Sequence, residues 1–293
     1  MSGTAFAILG AGRMGRALGR LLAQQGLKPT GVTAQTLRSA RQAAAFIGGG
    51  EPGRSNLKAV AGASLVFITT PDRVIPLLAD ELAESNLRWG RRVVAHTSGA
   101  LSSSVLEPLR RRGAQVASIH PLASIADPRG GLRDPAGIPF AIEGDPRAVR
   151  RLRRLVVSFR GMPVTIPREA KALYHLIAVL MSNDLVALLS IGLETARSIG
   201  LSERQALRLY MPLVRGTVDN VDRLGVVKAL TGPVSRGDAN TLRLHAEVLR
   251  TLPAEFRKLH RFLGVQSADL ALRARTITPE IATRLIRLLK ALP

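Results

Sequence analysis

Residues 5–26 limit the possible folds of this chain more than any other stretch. A short apolar run, Ala5 to Leu9, leads into Gly10-Ala11-Gly12-Arg13-Met14-Gly15, and an apolar-periodic run then continues to Gly26. This is G-x-G-x-x-G set between a strand and a helix. Glycine at the first position permits a tight turn, at the second lets a pyrophosphate approach the backbone, and at the third lets helix and strand pack closely. The amides and dipole of the helix N-terminus then favour phosphate. The stretch predicts an α/β protein with a doubly wound sheet, and Gly10, Ala11, Gly12, Arg13, Met14 and Gly15 as contacts to a dinucleotide.

The following segments fit that plan. Lys28 to Thr33 reads as the second strand, whose end carries an acidic residue in sites that hold the ribose hydroxyls of NAD. Here no acidic residue occurs before Glu51, and Thr33, Arg38 and Arg41 stand in the region. A 2′-phosphate would meet positive charge, which favours NADP(H) over NAD(H), with Thr33 and Arg38 as its contacts. Leu65 to Thr69 is the next strand, and Thr70-Pro71 in the loop after it would cover the cofactor. Arg92 to His96 and Val116 to Ile119 are further strands, ending in His96-Thr97-Ser98-Gly99 and His120-Pro121-Leu122. Ligands bind at the carboxyl edge of such sheets, so Ser98, Gly99 and His120 are candidates on the substrate side. A structural, hydrogen-bonded imidazole is the other reading of either histidine. No carboxylate cluster accompanies them, so no metal site is expected. Pro128 to Pro139 reads as a Pro/Gly-rich loop over the cleft, with two more strands, Phe140 to Glu143 and Pro163 to Ile166, around a basic helix.

Periodicity becomes helical near Pro167 and stays so, giving expected domains of 1–166 and 167–293. The helical part opens with Arg168 to Thr195, apolar enough to be buried. At about 100° per residue, Lys171, His175 and Ser182 fall within roughly 40° of one another, with Ala178 leaving room between them. A buried polar stripe needs a partner, either backbone and facing helices or a bound ligand. Asn183 points to another face and is a further substrate candidate. Asn183-Asp184 interrupt the apolar run near its middle, which argues against a membrane span. Leu230 to Asp238 is an irregular loop before a helix; Asp238 reads as its N-cap, and Arg236 could clamp a carboxylate.

Composition narrows the classes further. The net charge of +21 invites a nucleic-acid reading, yet the excess is mostly arginine, with six lysines, and is spread along the chain. No zinc finger, RNP-type aromatic pair or basic tail occurs, so no specific nucleic-acid partner is expected, while small anionic ligands are favoured by the field. With no cysteine, thiolate chemistry and disulfides are excluded. The absence of cysteines suits the cytoplasm, and the N-terminus lacks the pattern of a signal peptide.

Taken together, GAGRMG, HTSGALS, SIHPLAS, KALYHLIAVLMSND and LTGPVSRGD resemble a family of predicted NAD(P)-dependent oxidoreductases. Its members pair a Rossmann-like domain with a helical C-terminal domain of unknown function. More distantly the chain is similar to the 6-phosphogluconate-dehydrogenase-type superfamily. That group includes ketopantoate reductases, β-hydroxyacid dehydrogenases and pyrroline-5-carboxylate reductases. In the first two, a helix opening the second domain carries a catalytic lysine with an asparagine one turn later. Lys171 matches the lysine, and His175 stands where the asparagine would be. The resemblance implies an NADPH-dependent reductase of a small anionic carbonyl compound, of the 2-oxo acid class, with Lys171 and His175 catalytic. It also implies a homodimer through the helical domain. Imine reduction of the pyrroline-5-carboxylate reductase type, and a dinucleotide sensor or scaffold without chemistry, are the alternatives. Related folds also accept a deazaflavin.

Overall fold

The computed structural model describes residues 4–123 and 135–291. Most of the expected Pro128–Pro139 loop lies outside them. By contacts the chain divides into two compact units, 1–185 and 186–293. The expected boundary stood earlier, at 166/167.

The first unit alternates strand and helix: β1 (Ala5–Leu9), α1 (Arg13–Gln24), β2 (Lys28–Thr33), α2 (Leu37–Ile47), β3 (Glu51–Gly53), α3 (Asn56–Val60), β4 (Leu65–Ile68), α4 (Ile75–Ala83), β5 (Val93–His96), α5 (Glu107–Arg111), β6 (Gln115–Pro121), β7 (Pro139–Gly144), α6 (Pro146–Ser158) and β8 (Met162–Thr165). Among the described residues these strands make one eight-stranded sheet in the order β3-β2-β1-β4-β5-β6-β7-β8. All neighbours are parallel except β6 and β7.

The central strands β4 and β5 are buried throughout, as expected of a parallel sheet covered on both faces. Side chains alternate between two cores. Phe6, Ile8 and Phe67 face one that includes Leu18 and Leu22 of α1 and Leu152 of α6. Ala7, Leu9, Val66 and Ile68 face the other, with Ile75 and Leu82 of α4 and Leu109 of α5. Each fully buried Phe, Leu or Ile contributes about 1.5–3 kcal/mol relative to exposure. The connection order reverses at β1, which has β2 on one side and β4 on the other. A crevice therefore opens at the carboxyl ends of β1 and β4.

α7 runs from Lys171 to Ala196, and the division between the units falls within it. Its expected burial is not what the chain shows. Lys171 is only 1% exposed, but Leu176, Ile177, Leu180, Met181 and Val186 are 53%, 51%, 54%, 73% and 66% exposed. The apolar residues circle the whole helix instead of forming one stripe, so no single packed face can cover them. Residues 168–199 are also long and apolar enough to cross a membrane by length and composition, with an 18-residue window of mean hydropathy 2.0.

The second unit holds α8 (Glu203–Leu224), α9 (Val226–Ala229), α10 (Ala239–Leu249), α11 (Ala254–Arg273) and α12 (Pro279–Lys290). Leu242, Leu249, Leu285 and Leu289 centre its core. A capping box of Ser202 and Gln205 starts α8, satisfying amides that a helix start leaves unpaired. Asp238 is the N-cap of α10, accepting from the amides of Asn240 and Thr241. α11 runs through Gly264, where a Cβ would sit 2.6 Å from Leu289 Cδ2 of α12, so the glycine lets the two helices pack closely.

Candidate active site

The turn after β1 forms one end of the site. Gly10 has a φ of +94°, and a Cβ there would sit 2.5 Å from Thr70 Cγ2. A Cβ at Gly15 would sit 2.5 Å from Thr69 Oγ1 and 2.6 Å from the Gly10 carbonyl oxygen, so α1 closes on the turn only because side chains are missing. Nothing lies within 4 Å of a Cβ built on Gly12, which leaves the space above it open. A cavity of about 490 Å³ runs from Gly10, Ala11 and Gly12 past Thr33, Thr70 and Pro71 to Gln35, Ser39 and Arg54. The first turn of α1 carries no acidic residue, and a helix start leaves its amides without intrahelical partners. The Thr70 hydroxyl is buried with no hydrogen-bond partner among the described residues. A glycine-floored cavity with an orphaned hydroxyl beside a helix start fits a dinucleotide diphosphate.

At the far end of this cavity the lining differs from the residues expected. Arg38 is exposed and does not line the cavity, whereas Arg54, after β3, does. The Thr33 hydroxyl donates to Asn56 Oδ1 at 2.8 Å, spending its only proton within the protein. Ser39 Oγ accepts from Thr36 Oγ1 at 2.9 Å, which leaves its own proton for a ligand. Arg13 and Met14 lie outside the lining as well; Met14 packs against the core.

The sheet edge and the first turns of α7 form the other end. A second cavity, of about 480 Å³, is lined by His120, Tyr174, His175, Ala178, Ser182 and Asn183 among others. Lys171, Tyr174 and His175 are spaced i, i+3, i+4 and share a face. Lys171 Nζ is buried with no hydrogen-bond partner among the described residues, 5.5 Å from the centroid of the Tyr174 ring. Burial brings its pKa down to about 8, against the opposing pull of Glu143 and Asp72. The Glu143 carboxylate is 2% exposed. It accepts from the amide and hydroxyl of Ser103, each at 2.7 Å, and lies 3.6 Å from Arg168 Nε.

His120 Nδ1 lies 3.0 Å from the Tyr174 hydroxyl, and its ring centroid is 6.1 Å from that of His175. A Cβ on Gly99 would meet His175 Cδ2 at 2.3 Å and His120 Nε2 at 3.0 Å; glycine there makes room for both imidazoles. Burial, and after it the charge of Lys171, bring the His120 pKa down to about 4.

His96 takes the structural reading. It is fully buried, accepts from the Ser98 amide at Nδ1 (3.2 Å), and its Nε2 faces the Ser102 carbonyl at 3.1 Å. Ser98 is drawn inward too: its hydroxyl donates to Asp72 at 2.8 Å and accepts from the amides of Ala100 and Leu101. It holds the β5 turn in shape, with no proton left for a carboxylate. Arg236 belongs to the second unit. Sequence reasoning missed Tyr174, Glu143, Asp72, Ser39 and Arg54. Tyr174 was legible from its spacing to Lys171; the others come together only through strand order.

Residues 3–121 match a Rossmann-like domain, and residues 138–266 match the domain of unknown function DUF2520. No curated protein matches the chain. Among solved structures, protein TM1727 from Thermotoga maritima is 27% identical, with a TM-score of 0.68 over 96% of this chain and 99% of that one. BF3122 from Bacteroides fragilis, named by inference as an NADP oxidoreductase, is 22% identical with a TM-score of 0.69 over 92% and 98%. A reductive aminase from Aspergillus terreus, solved with NADPH and ethyl levulinate, is 16% identical with a TM-score of 0.62 over 99% and 93%. The glycine-floored turn, the sheet around it and the helical segment after it place this chain in the family that joins a Rossmann-like domain to a DUF2520 domain.

Proposed function

We propose that this protein is an NADPH-dependent reductase of a small carbonyl compound bearing an anionic group, of the 2-oxo acid class. The observation that carries the reading is Lys171, a buried ammonium without a hydrogen-bond partner among the described residues, one turn before Tyr174 and His175, which line the second cavity. Burying an unpaired charge is costly, and a chain that keeps one there has a use for it. Solved relatives named for NADP or crystallised with NADPH support the cofactor.

Bound NADPH would supply a hydride to the carbonyl carbon. Gly10–Gly15 and Thr70 would hold its diphosphate, while Arg54 and Ser39 would hold the 2′-phosphate in a cavity whose described lining contains no carboxylate. Lys171 neutralises the alkoxide developing on the substrate oxygen and gives up its proton to it, a transfer eased by a pKa near 8. Glu143 and Asp72 temper that pKa from outside the cavity. His175 borders the same space and orients the substrate.

An imine substrate is the second reading, favoured by the aminase's likeness in fold. Against it, an iminium ion would enter beside the Lys171 ammonium with no carboxylate lining the cavity among the described residues. The exposed apolar residues of α7 support a homodimer in which a second copy covers them; sedimentation in detergent-free buffer tests that.

The decisive assay follows NADPH absorbance with a panel of 2-oxo acids, ketopantoate included, and cyclic imines. Consumption with an acid, reduced about tenfold or more in Lys171→Ala at unchanged NADPH affinity, is the expected result. Consumption with imines alone, or none at all, overturns the assignment.

A further inference from the structure

We propose that His120, held by Tyr174 in one neutral tautomer, is a second group that polarises the substrate oxygen, donating from Nε2. This rests on the reductase reading above. The argument starts from where each proton of the pair can go. The Tyr174 phenol has one hydrogen, and the partner the structure gives its oxygen is His120 Nδ1, at 3.0 Å. If Nδ1 carried the imidazole proton, it would donate to the phenol oxygen, the weaker acceptor, and leave the phenol hydrogen without an acceptor among the described residues. Phenol O–H is the stronger donor of the two and the imidazole nitrogen the stronger acceptor, so the phenol donates to Nδ1 and the imidazole proton resides on Nε2. That nitrogen has no partner among the described residues. It lies beside Gly99, whose missing Cβ would stand 3.0 Å from it, on a ring that lines the cavity.

The tautomer is stable against pH. Burial holds the phenol pKa above its ordinary value, so Tyr174 keeps its proton, and His120 stays neutral well below pH 7. A neutral imidazole N–H is a donor that does not surrender its proton readily, which suits it to polarise a carbonyl while Lys171 does the transfer. A neutral N–H aimed at the cavity demands an acceptor in the ligand, a carbonyl or carboxylate oxygen. An iminium N–H offers it nothing to bind. His120 is thus a catalytic residue and Tyr174 a positioning residue that acts through it.

The test uses the full chain labelled with ¹⁵N-histidine. Its five histidines give a spectrum simple enough to assign, with His120→Gln identifying the His120 signals. The expected result is a bare Nδ1 and a protonated Nε2 in the unmodified protein, a mixture of tautomers in Tyr174→Phe, and a shift of the Nε2 signal on adding oxamate, an inert 2-oxo acid analogue. A protonated Nδ1, a tautomer unmoved by Tyr174→Phe, or an Nε2 signal indifferent to oxamate overturns the proposal. None of these needs turnover, so failure of the reductase reading shows separately, as absence of NADPH oxidation. In the kinetic arm, His120→Leu lowers kcat by about 100-fold and His120→Gln, which keeps a donor, by less. Tyr174→Phe lowers kcat by about tenfold with NADPH affinity unchanged. Equal losses in Leu and Gln variants count against the donor role.

Discussion

Replacing Lys171 with methionine should stabilise this protein while stopping its chemistry. The lysine is 1% exposed, without a hydrogen-bond partner, with a pKa lowered from 10.5 to about 8, chiefly by burial. That difference, at about 1.4 kcal/mol per tenfold in proton affinity, makes the charged side chain cost the fold about 3 kcal/mol near pH 7. Methionine has a similar shape and no charge to desolvate. Below pH 8 both folded and unfolded chains hold the proton, so the cost is present in full. Between about 8 and 10.5 the folded chain has released it and the unfolded chain has not, so stability rises with pH across that window. Urea unfolding of both proteins at pH 7 and pH 10 isolates the effect, because the large net positive charge and its titration are common to the two. The expected gap is about 3 kcal/mol in favour of Lys171→Met at pH 7, shrinking to about 1 kcal/mol at pH 10. A gap that does not change with pH, or a variant less stable at pH 7, would refute the assignment of Lys171 as a buried, unpaired cation.

Four other outcomes are expected. Arg54→Ala should weaken NADPH binding by about tenfold or more while leaving NADH unchanged, and Arg38→Ala should do neither; fluorescence titration of each cofactor decides between them. Gly99→Ala pushes a methyl group into His175 and His120. Its kcat/KM should fall about tenfold or more, at a stability cost of about 1 kcal/mol, because the atoms displaced are side chains able to swing. Gly15→Ala meets the Gly10 backbone as well as Thr69, so α1 itself must move, costing about 1–3 kcal/mol in urea unfolding together with loss of NADPH affinity. In the pH profile, kcat/KM for reduction should fall as pH rises through about 8, where Lys171 loses its proton; a profile flat from pH 7 to 9.5 would remove Lys171 as donor.

The sequence by itself determined the local units of this protein. The strand, glycine turn and helix of residues 5–24 form where they were read, and β2 spans Lys28 to Thr33 as expected. Periodicity along α7 put Lys171, His175 and Ser182 on one face around Ala178, and His175, Ala178 and Ser182 line one cavity while Lys171 is buried outside its lining. Asp238 announced its role in the same way, because a cap is made within a few residues. Tertiary structure decided the rest. Arg54 displaced Arg38 at the cavity because β3 pairs with β2, a fact no window around either arginine contains. Ser98 and Thr33 were read as free ligands for substrate and cofactor, but their protons go to Asp72 and Asn56, residues brought beside them by the sheet. The antiparallel β7 carries Glu143 to Ser103. His120 meets Tyr174 across 54 residues of chain. A hydrogen bond consumes a donor wherever its partner comes from, so which polar groups remain free for a ligand is settled only once the whole sheet is assembled.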